Sequence, residues 1–255
     1  YRADSHTFDV ELGPVFANVV LADEINRAPA KVQSALLEVM AERHVSIGGV
    51  THPVPEPFLV LATQNPIESD GVYPLPEAQR DRFLMKVLVD YPNHREETEI
   101  ARRMTAHRPV AQQVLTEADV LHLQSKAEDV FVHDAVLDYA VRLVLATREP
   151  AQHGLPELAP VISNGASPRA TLALLASGRA LALMRGRGYV VPRDIYDVAR
   201  DVLRHRILLS FDAIADDVDV EAVVERIVST VLAPRVTPSQ DTIDDQSANQ
   251  NTWAA

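Results

Sequence analysis

Two acidic residues, Asp23 and Glu24, directly follow the apolar run Val19-Val20-Leu21-Ala22. Carboxylates at the carboxyl end of a buried strand lie where open α/β sheets place ligand chemistry. There Asp23 could hold Mg²⁺, directly or through water, while Glu24 could orient and polarise an attacking water. The same string also fits a strand that ends in a solvated acidic turn. A second apolar run, Phe58-Leu59-Val60-Leu61-Ala62, leads into Thr63-Gln64-Asn65-Pro66. A polar amide there could hydrogen-bond a terminal phosphate or that water, and an ordinary Asn-Pro turn would carry the same letters. Ser167-Pro168-Arg169 opens a helical pattern with a cation in its first turn, where the helix dipole disfavours it by roughly a few tenths of a kcal/mol. A local rule broken this way points to an arginine that contacts a phosphate, set against a plain solvated side chain. Finally, Glu77-Ala78-Gln79-Arg80-Asp81-Arg82-Phe83 offers two arginines that could pair with Asp81 or Glu77, and for Arg80 the local pairing is expected.

The elements that must position these residues follow from periodicity. Val19 to Ala22 and Phe58 to Ala62 are continuous apolar runs, as in parallel strands buried on both faces, and Phe83 to Val89 reads as a third strand. Between the first two, Lys31 to Glu42 places Val32, Ala35, Leu36, Val39 and Met40 on one helical face, with Pro29 in the first turn. Val45-Ser46-Ile47, Gly48-Gly49 and Val50-Thr51-His52 read as a hairpin with a tight primed turn. Strands alternating with helices make an α/β layer. From about Asn93 the β signal ends, and Ala135 to Thr147, Pro168 to Met184 and Pro192 to Ile207 are helical, with Ser167 as an N-cap. The expected layout is an incomplete α/β domain over 1–107, an all-helical domain over 108–232, and a disordered tail over 233–255.

Composition narrows the function. The 255 residues are 47% apolar but only 5% aromatic, so the core is aliphatic. Acids outnumber bases by 36 to 24, a balance that argues against a general phosphate-backbone binder, and no nucleic-acid partner is expected. With no cysteine, thiolate zinc sites, iron–sulfur clusters, disulfide scaffolds and Cys nucleophiles are excluded. The nine histidines show no metal-binding spacing, and Asp216-Asp217-Val218-Asp219 lacks the Gly and distal Glu of a calcium loop, so it reads as a solvated approach to a helix. Arg185-Gly186-Arg187-Gly188 reads as a helix exit. No apolar run approaches the roughly 18 residues of a membrane span and no signal peptide is visible, so a cytoplasmic protein is expected. The first residue is Tyr1, not Met, which predicts a reading frame that begins upstream.

In order along the chain, Gly13 to Asn18, Leu21 to Ala28, Ala62 to Pro66, Tyr73 to Gln79, Asp81 to Phe83 and Ser167 to Arg169 closely resemble the MoxR family of AAA+ ATPases. The similarity runs from about Thr7 to Pro234. It implies a partial P-loop NTPase parallel sheet followed by a helical lid, with ATP and Mg²⁺ as cofactors. By resemblance Asp23 and Glu24 are the Walker B pair and Asn65 is sensor one. Arg82 matches the arginine finger offered to a neighbouring subunit, and Arg169 matches the sensor-two arginine of the lid. Arg80 stands where the family usually has Leu and takes no catalytic role. The hairpin resembles the pre-sensor-one insertion, and Tyr1 to Glu11 the end of the helix-two insertion. The phosphate-binding string Gly-x-x-x-x-Gly-Lys-Ser/Thr occurs nowhere in the chain, and the resemblance places it upstream of Tyr1. Its strand would separate the sensor-one strand from Phe83 to Val89, leaving both with an unpaired edge. The resemblance further implies a homo-oligomeric, hexameric ring acting on client proteins that include von Willebrand A domain proteins. A truncated, non-catalytic interaction module and a magnesium-chelatase-type subunit are the alternatives.

Overall fold

A computed structural model describes residues 10, 12–65, 73–105 and 110–234. The expected boundary at 107/108, nearly all of the tail and all but Val10 of the Tyr1 to Glu11 segment lie outside these residues. Strand β1 (Val19–Ala22) leads through a 3-10 turn into α1 (Ala30–Glu42), the hairpin β2 (His44–Ile47) and β3 (Val50–Pro53), and then β4 (Leu59–Ala62). The hairpin forms as the Gly-Gly pair predicts: Gly48 and Gly49 take φ of 58° and 83°, and Ile47 faces Val50. β4 lies parallel to β1 in the register Val19↔Leu59 through Ala22↔Ala62.

The expected burial of these strands holds for one face only. Val20 and Val60 pack with Val39, Val54 and Phe58, while Ala22 and Ala62 join Ile25, Leu37 and Leu75. On the other face Val19, Leu21, Leu59 and Leu61 are 50–64% exposed, because α1 covers one side and no described element covers the second. The helix meets its expected face in part, with Val39 buried and Leu36 and Met40 packed against the core. Gln33, Leu37 and Val39 are buried, whereas Val32 is 54% exposed. The cause is the Gln33 amide, which donates to the carbonyls of Ile25 (3.1 Å) and Tyr73 (2.9 Å) and draws its own side of the helix inward. Pro29 caps the helix from outside rather than sitting in its first turn.

Beyond Tyr73 the chain is mostly helical: α2 (Glu77–Arg80), α3 (His94–Thr105), α4 (Glu117–Glu128), α5 (Asp134–Arg148), α6 (Pro168–Met184), α7 (Pro192–Leu203), α8 (Phe211–Ala215) and α9 (Val220–Thr230). Tyr139, Leu143, Leu155, Leu174, Ile195, Leu203 and Ile227 fill the core between α5, α6, α7 and α9. Ser167 caps α6 as expected, its hydroxyl accepting from the Arg169 N–H at 3.1 Å. The loop before it approaches α5 so closely that a Cβ on Gly165 would lie 2.4 Å from the Thr147 carbonyl. At the exit of α6, Arg185 and Arg187 both donate to the fully buried Asp194. Burial alone would raise that carboxyl, but bonds from Arg187, the Val191 N–H and Arg185 outweigh it and hold the group below the ordinary range. Asp219 caps α9, in keeping with a solvated helix approach.

Three expectations need correction. A short antiparallel pair, β5 (Ile162–Asn164) and β6 (Leu208–Leu209), sits within the helical half, too short to show a period of two. Helix α7 stops at Leu203, not Ile207. Phe83 to Val89 is not a strand. It has no neighbouring ladder among the described residues, and the turn Arg204-His205-Arg206 after α7 takes its backbone groups instead. Arg206, with a side chain only 2% exposed, donates Nε to Asp81 Oδ1 (3.0 Å), Nη1 to the carbonyls of Leu84 (3.1 Å) and Val202 (2.5 Å), and Nη2 to those of Asp81 (3.2 Å) and Phe83 (2.6 Å). All five guanidinium N–H groups are thereby satisfied. Arg204 donates to the Lys86 carbonyl (2.7 Å), and the Lys86 N–H donates to the Asp201 carbonyl (2.8 Å).

His205 completes this turn, its Nε2 lying 3.2 Å from the Phe83 carbonyl. Burial and the adjacent Arg206 push its pKa down to about 4, so the ring is neutral at pH 7 and Nε2 carries the proton. An unfolded chain takes up this proton near pH 6.5, whereas the folded one resists until about pH 4. Stability is therefore full above pH 6.5 and falls as the pH drops through that window, by about 3 kcal/mol in all. Asp81 and Asp194, both held low, add their losses only below the ordinary carboxylate range. Urea unfolding between pH 7 and 4.5 should show this slope, and His205→Gln, which keeps a donor for Phe83, should flatten it. An unchanged slope in that variant would refute the assignment.

Candidate functional site

The parallel register of β1 and β4 decides which predicted residues meet. Ala22 faces Ala62, so the next residues, Asp23 and Thr63, leave the ribbon side by side. The Thr63 hydroxyl donates to Asp23 Oδ1 at 2.6 Å and accepts from the Glu24 N–H at 2.8 Å. The Thr63 carbonyl accepts from the Ile25 N–H at 3.0 Å, and the Thr63 N–H donates to the Ala22 carbonyl at 3.1 Å. One threonine thus ties both acids to the end of β4. Glu24 takes a left-handed backbone, φ 49° and ψ 51°, a conformation that costs a non-glycine residue of order 1 kcal/mol. The bend turns the chain sharply off the strand, and the Glu24 carboxylate meets Arg27 at 3.0 Å.

Asn65 stands two residues beyond Thr63, and its carbonyl accepts from the Asn26 side chain at 3.4 Å. Asp23, Glu24 and Asn65 are therefore brought to one corner. The donor set there is all oxygen: two carboxylates and a hydroxyl. That chemistry suits a hard divalent cation such as Mg²⁺. Thr63 engages only one oxygen of Asp23, which leaves Oδ2 without a protein hydrogen bond among the described residues.

The two arginines are placed elsewhere. Arg82 follows α2, is exposed, and donates to the Leu37 carbonyl at 3.2 Å. It borders a polar cleft of about 540 Å³ with Ser34, Glu38, Glu42, His44 and Gln79. Arg169 reaches Asp81 Oδ2 at 3.3 Å, beside the Ser167 hydroxyl at 2.8 Å on the same oxygen. So the cation in the first turn of α6 is balanced by a carboxylate from another part of the chain. Asp81 does not pair with Arg80 or Arg82, contrary to expectation. Its oxygens are taken by Ser167, Arg169 and Arg206, which overcome the effect of burial and hold the carboxyl below its usual range. The Arg80 Nε is buried without a hydrogen-bond partner.

The sequence pattern assigns no part to Thr63, Gln33 or Arg206, and gives Asp81 only a local arginine as partner. Thr63 was within reach: aligning the two apolar runs as a parallel pair puts it opposite Asp23. Arg206 carried a weaker signal, a basic turn inserted between Val202-Leu203 and Ile207-Leu208-Leu209.

Residues 1–85 match the model of the ATPase family associated with various cellular activities, and residues 158–227 match the AAA lid domain. The chain is 59% identical over 236 residues to Chaperone MoxR1 of Mycobacterium tuberculosis, covering 92% of this chain and 63% of that protein. It is 40% identical to YeaC of Bacillus subtilis, an uncharacterised protein of which it covers 71%, and 34% identical to MoxR of Paracoccus denitrificans, of which it covers 64%. A crystal structure of a presumed ATPase from Cytophaga hutchinsonii superposes with a TM-score of 0.87 at 44% identity, over 92% of this chain and 72% of that one. The chain thus spans a little under two thirds of MoxR1, itself named a chaperone. With the acidic corner on a parallel ribbon and a helical lid behind it, the chain belongs to the MoxR family of AAA+ ATPases.

Proposed function

We propose that this chain supplies the water-activating corner and the lid of a MoxR-type ATPase, which couples MgATP hydrolysis in an oligomeric ring to remodelling of client proteins. Residues 1–107 would form the nucleotide-binding part and residues 108–232 the lid. The observation that carries this is the Thr63 hydroxyl set between Asp23 Oδ1 and the Glu24 N–H, because it assigns the two acids different environments. Asp23, with one oxygen held and one open, is suited to hold Mg²⁺. Bound Mg²⁺ neutralises charge on the phosphates. Glu24, turned outward by its backbone, is suited to orient and polarise water once its carboxylate leaves Arg27. Asn65 lies close enough in sequence and register to position that water or the terminal phosphate. Arg82, offered to a neighbouring subunit, and Arg169 from the lid would stabilise the charge that develops in the transition state. Clients with von Willebrand A domains belong to this proposal, as does a cytoplasmic location.

In the complete gene product, Glu24→Gln should leave ATP binding near normal and lower turnover by about two or more orders of magnitude. Asp23→Asn should instead weaken magnesium-dependent nucleotide binding. Identical behaviour of the two would contradict separate roles. The 255-residue chain alone, without a phosphate-cradling string, should turn over ATP negligibly. Magnesium-dependent turnover by that chain above its Glu24→Gln form would overturn this part.

Arg82 should act in trans. Arg82→Ala should remove about 10³ or more in rate with nucleotide affinity nearly intact. Mixing Arg82→Ala with Glu24→Gln subunits should recover part of the activity, since some interfaces then pair an intact Glu24 with an intact Arg82. No recovery despite co-assembly would leave Arg82 a structural residue bound to the Leu37 carbonyl.

A further inference from the structure

Residues Asp81 to Lys86 join the acidic corner to the helical half, and their contacts with the two sides are unequal. Toward the α/β side stand one hydrogen bond from exposed Arg82 to the Leu37 carbonyl and the packing of Phe83 against Ile25, Leu37 and Leu75. Toward the helical side stand four bonds from buried Arg206, the Arg204 bond to Lys86, the Lys86 bond to Asp201, His205 on Phe83, Ser167 on Asp81, and Met85 in the helical core. Bonds that involve a buried charge are roughly twice as strong as neutral ones, and a buried guanidinium stripped of its partners is strongly unfavourable. If the two halves move against each other, the Arg82–Leu37 contact yields first.

We propose that Asp81 and Arg206 are positioning residues that fix the Arg82 segment and Arg169 to the helical half as one body, an inference that rests on the ATPase function proposed above for its catalytic meaning. Arg169 is the one partner of Asp81 suited to leave. Its side chain is 56% exposed and its bond is the longest of the three, at 3.3 Å against 2.8 Å for Ser167 and 3.0 Å for Arg206. When Arg169 turns to a phosphate, Ser167 and Arg206 still hold Asp81, so Arg82 keeps its place relative to the lid. A lid displacement that accompanies nucleotide binding then shifts Arg82 by the same motion, and the cation offered to a neighbour reports the state of its own lid.

Hydrogen exchange on the 255-residue chain tests the mechanical claim without any activity. The Lys86 amide lies outside every helix and strand, yet its bond to Asp201 should protect it. Asp81→Asn should speed exchange over residues 83–86 by tenfold or more and leave the β1 and β4 amides within about twofold. Thr63→Val, which loosens the acidic corner, should do the reverse. Exchange at 83–86 that follows the ribbon in the Thr63 variant, or that ignores Asp81→Asn, would overturn the proposal. Arg206→Met should act like Asp81→Asn, and the asparagine variant decides should Arg206→Met fail to fold. In the complete gene product, Asp81→Asn should lower kcat at least tenfold with KM for ATP changed less than threefold, and Asp81→Glu should restore part of kcat. Equal effects on kcat and KM, or no rescue by glutamate, would count against a positioning role. Absence of wild-type turnover would instead sink the ATPase function, with the exchange comparison still deciding the mechanical claim.

Discussion

A guanidinium buried to 2% exposure must find a partner for every N–H, and much of the architecture around Arg206 follows from that demand. Its donors can be satisfied only if the carbonyls of Asp81, Phe83 and Leu84 turn toward the end of α7. Those groups are then lost to any ladder, and the segment beyond Phe83 takes no regular secondary structure, with Val87 and Val89 in solvent. The Asp81 carboxylate provides the counter-charge. Because its other oxygen is occupied by Ser167 and Arg169, the N-terminus of α6 is joined to the same point. One desolvated cation thus orders two segments separated by more than a hundred residues.

The acidic corner is organised differently, by short neutral contacts on a thin support. Two parallel strands of four residues are marginal alone. They are steadied by α1 beneath, by the hairpin, whose Val45 packs with Val54 and Phe58, and by the buried Gln33 amide linking Ile25 to Tyr73. On this base the Thr63 hydroxyl orders two carboxylates in succession. The acidic corner is therefore held by its neighbours in register, while Arg169, at the start of α6, is held by Asp81.

Legibility in the sequence tracked how local each cause was. The hairpin was readable because Gly48-Gly49 determines its own turn, and α5 and α6 because their apolar periods run for several turns. Asp23, Glu24 and Asn65 were readable as a group, since each follows an apolar run. Arg169 stood out as a cation in the first turn of a helix, but Asp81, the carboxylate it meets, was assigned to a local arginine. Pairings such as Asp81 with Arg206 span a separation of 125 residues and leave no local trace. The face of α1 was legible only in part, at Leu36, Val39 and Met40, because periodicity treats Gln33 as polar and outward, whereas two orphan carbonyls drew it in. Phe83 to Val89 has the composition of a strand, and composition cannot supply the neighbour a strand needs.

The left-handed backbone at Glu24 carries an implication for how this protein trades one property against another. Any residue with a Cβ is under tension there, and glycine would relieve it. Replacing Glu24 by glycine would thus be expected to firm up the fold while removing the carboxylate that faces outward at the corner. Under the role proposed for Glu24, stability and chemistry pull in opposite directions at this one position. Efforts to make the protein more robust by optimising its backbone would select against this acid first, and a screen that scored thermal resistance alone would lose the carboxylate for which the water-activating role is proposed.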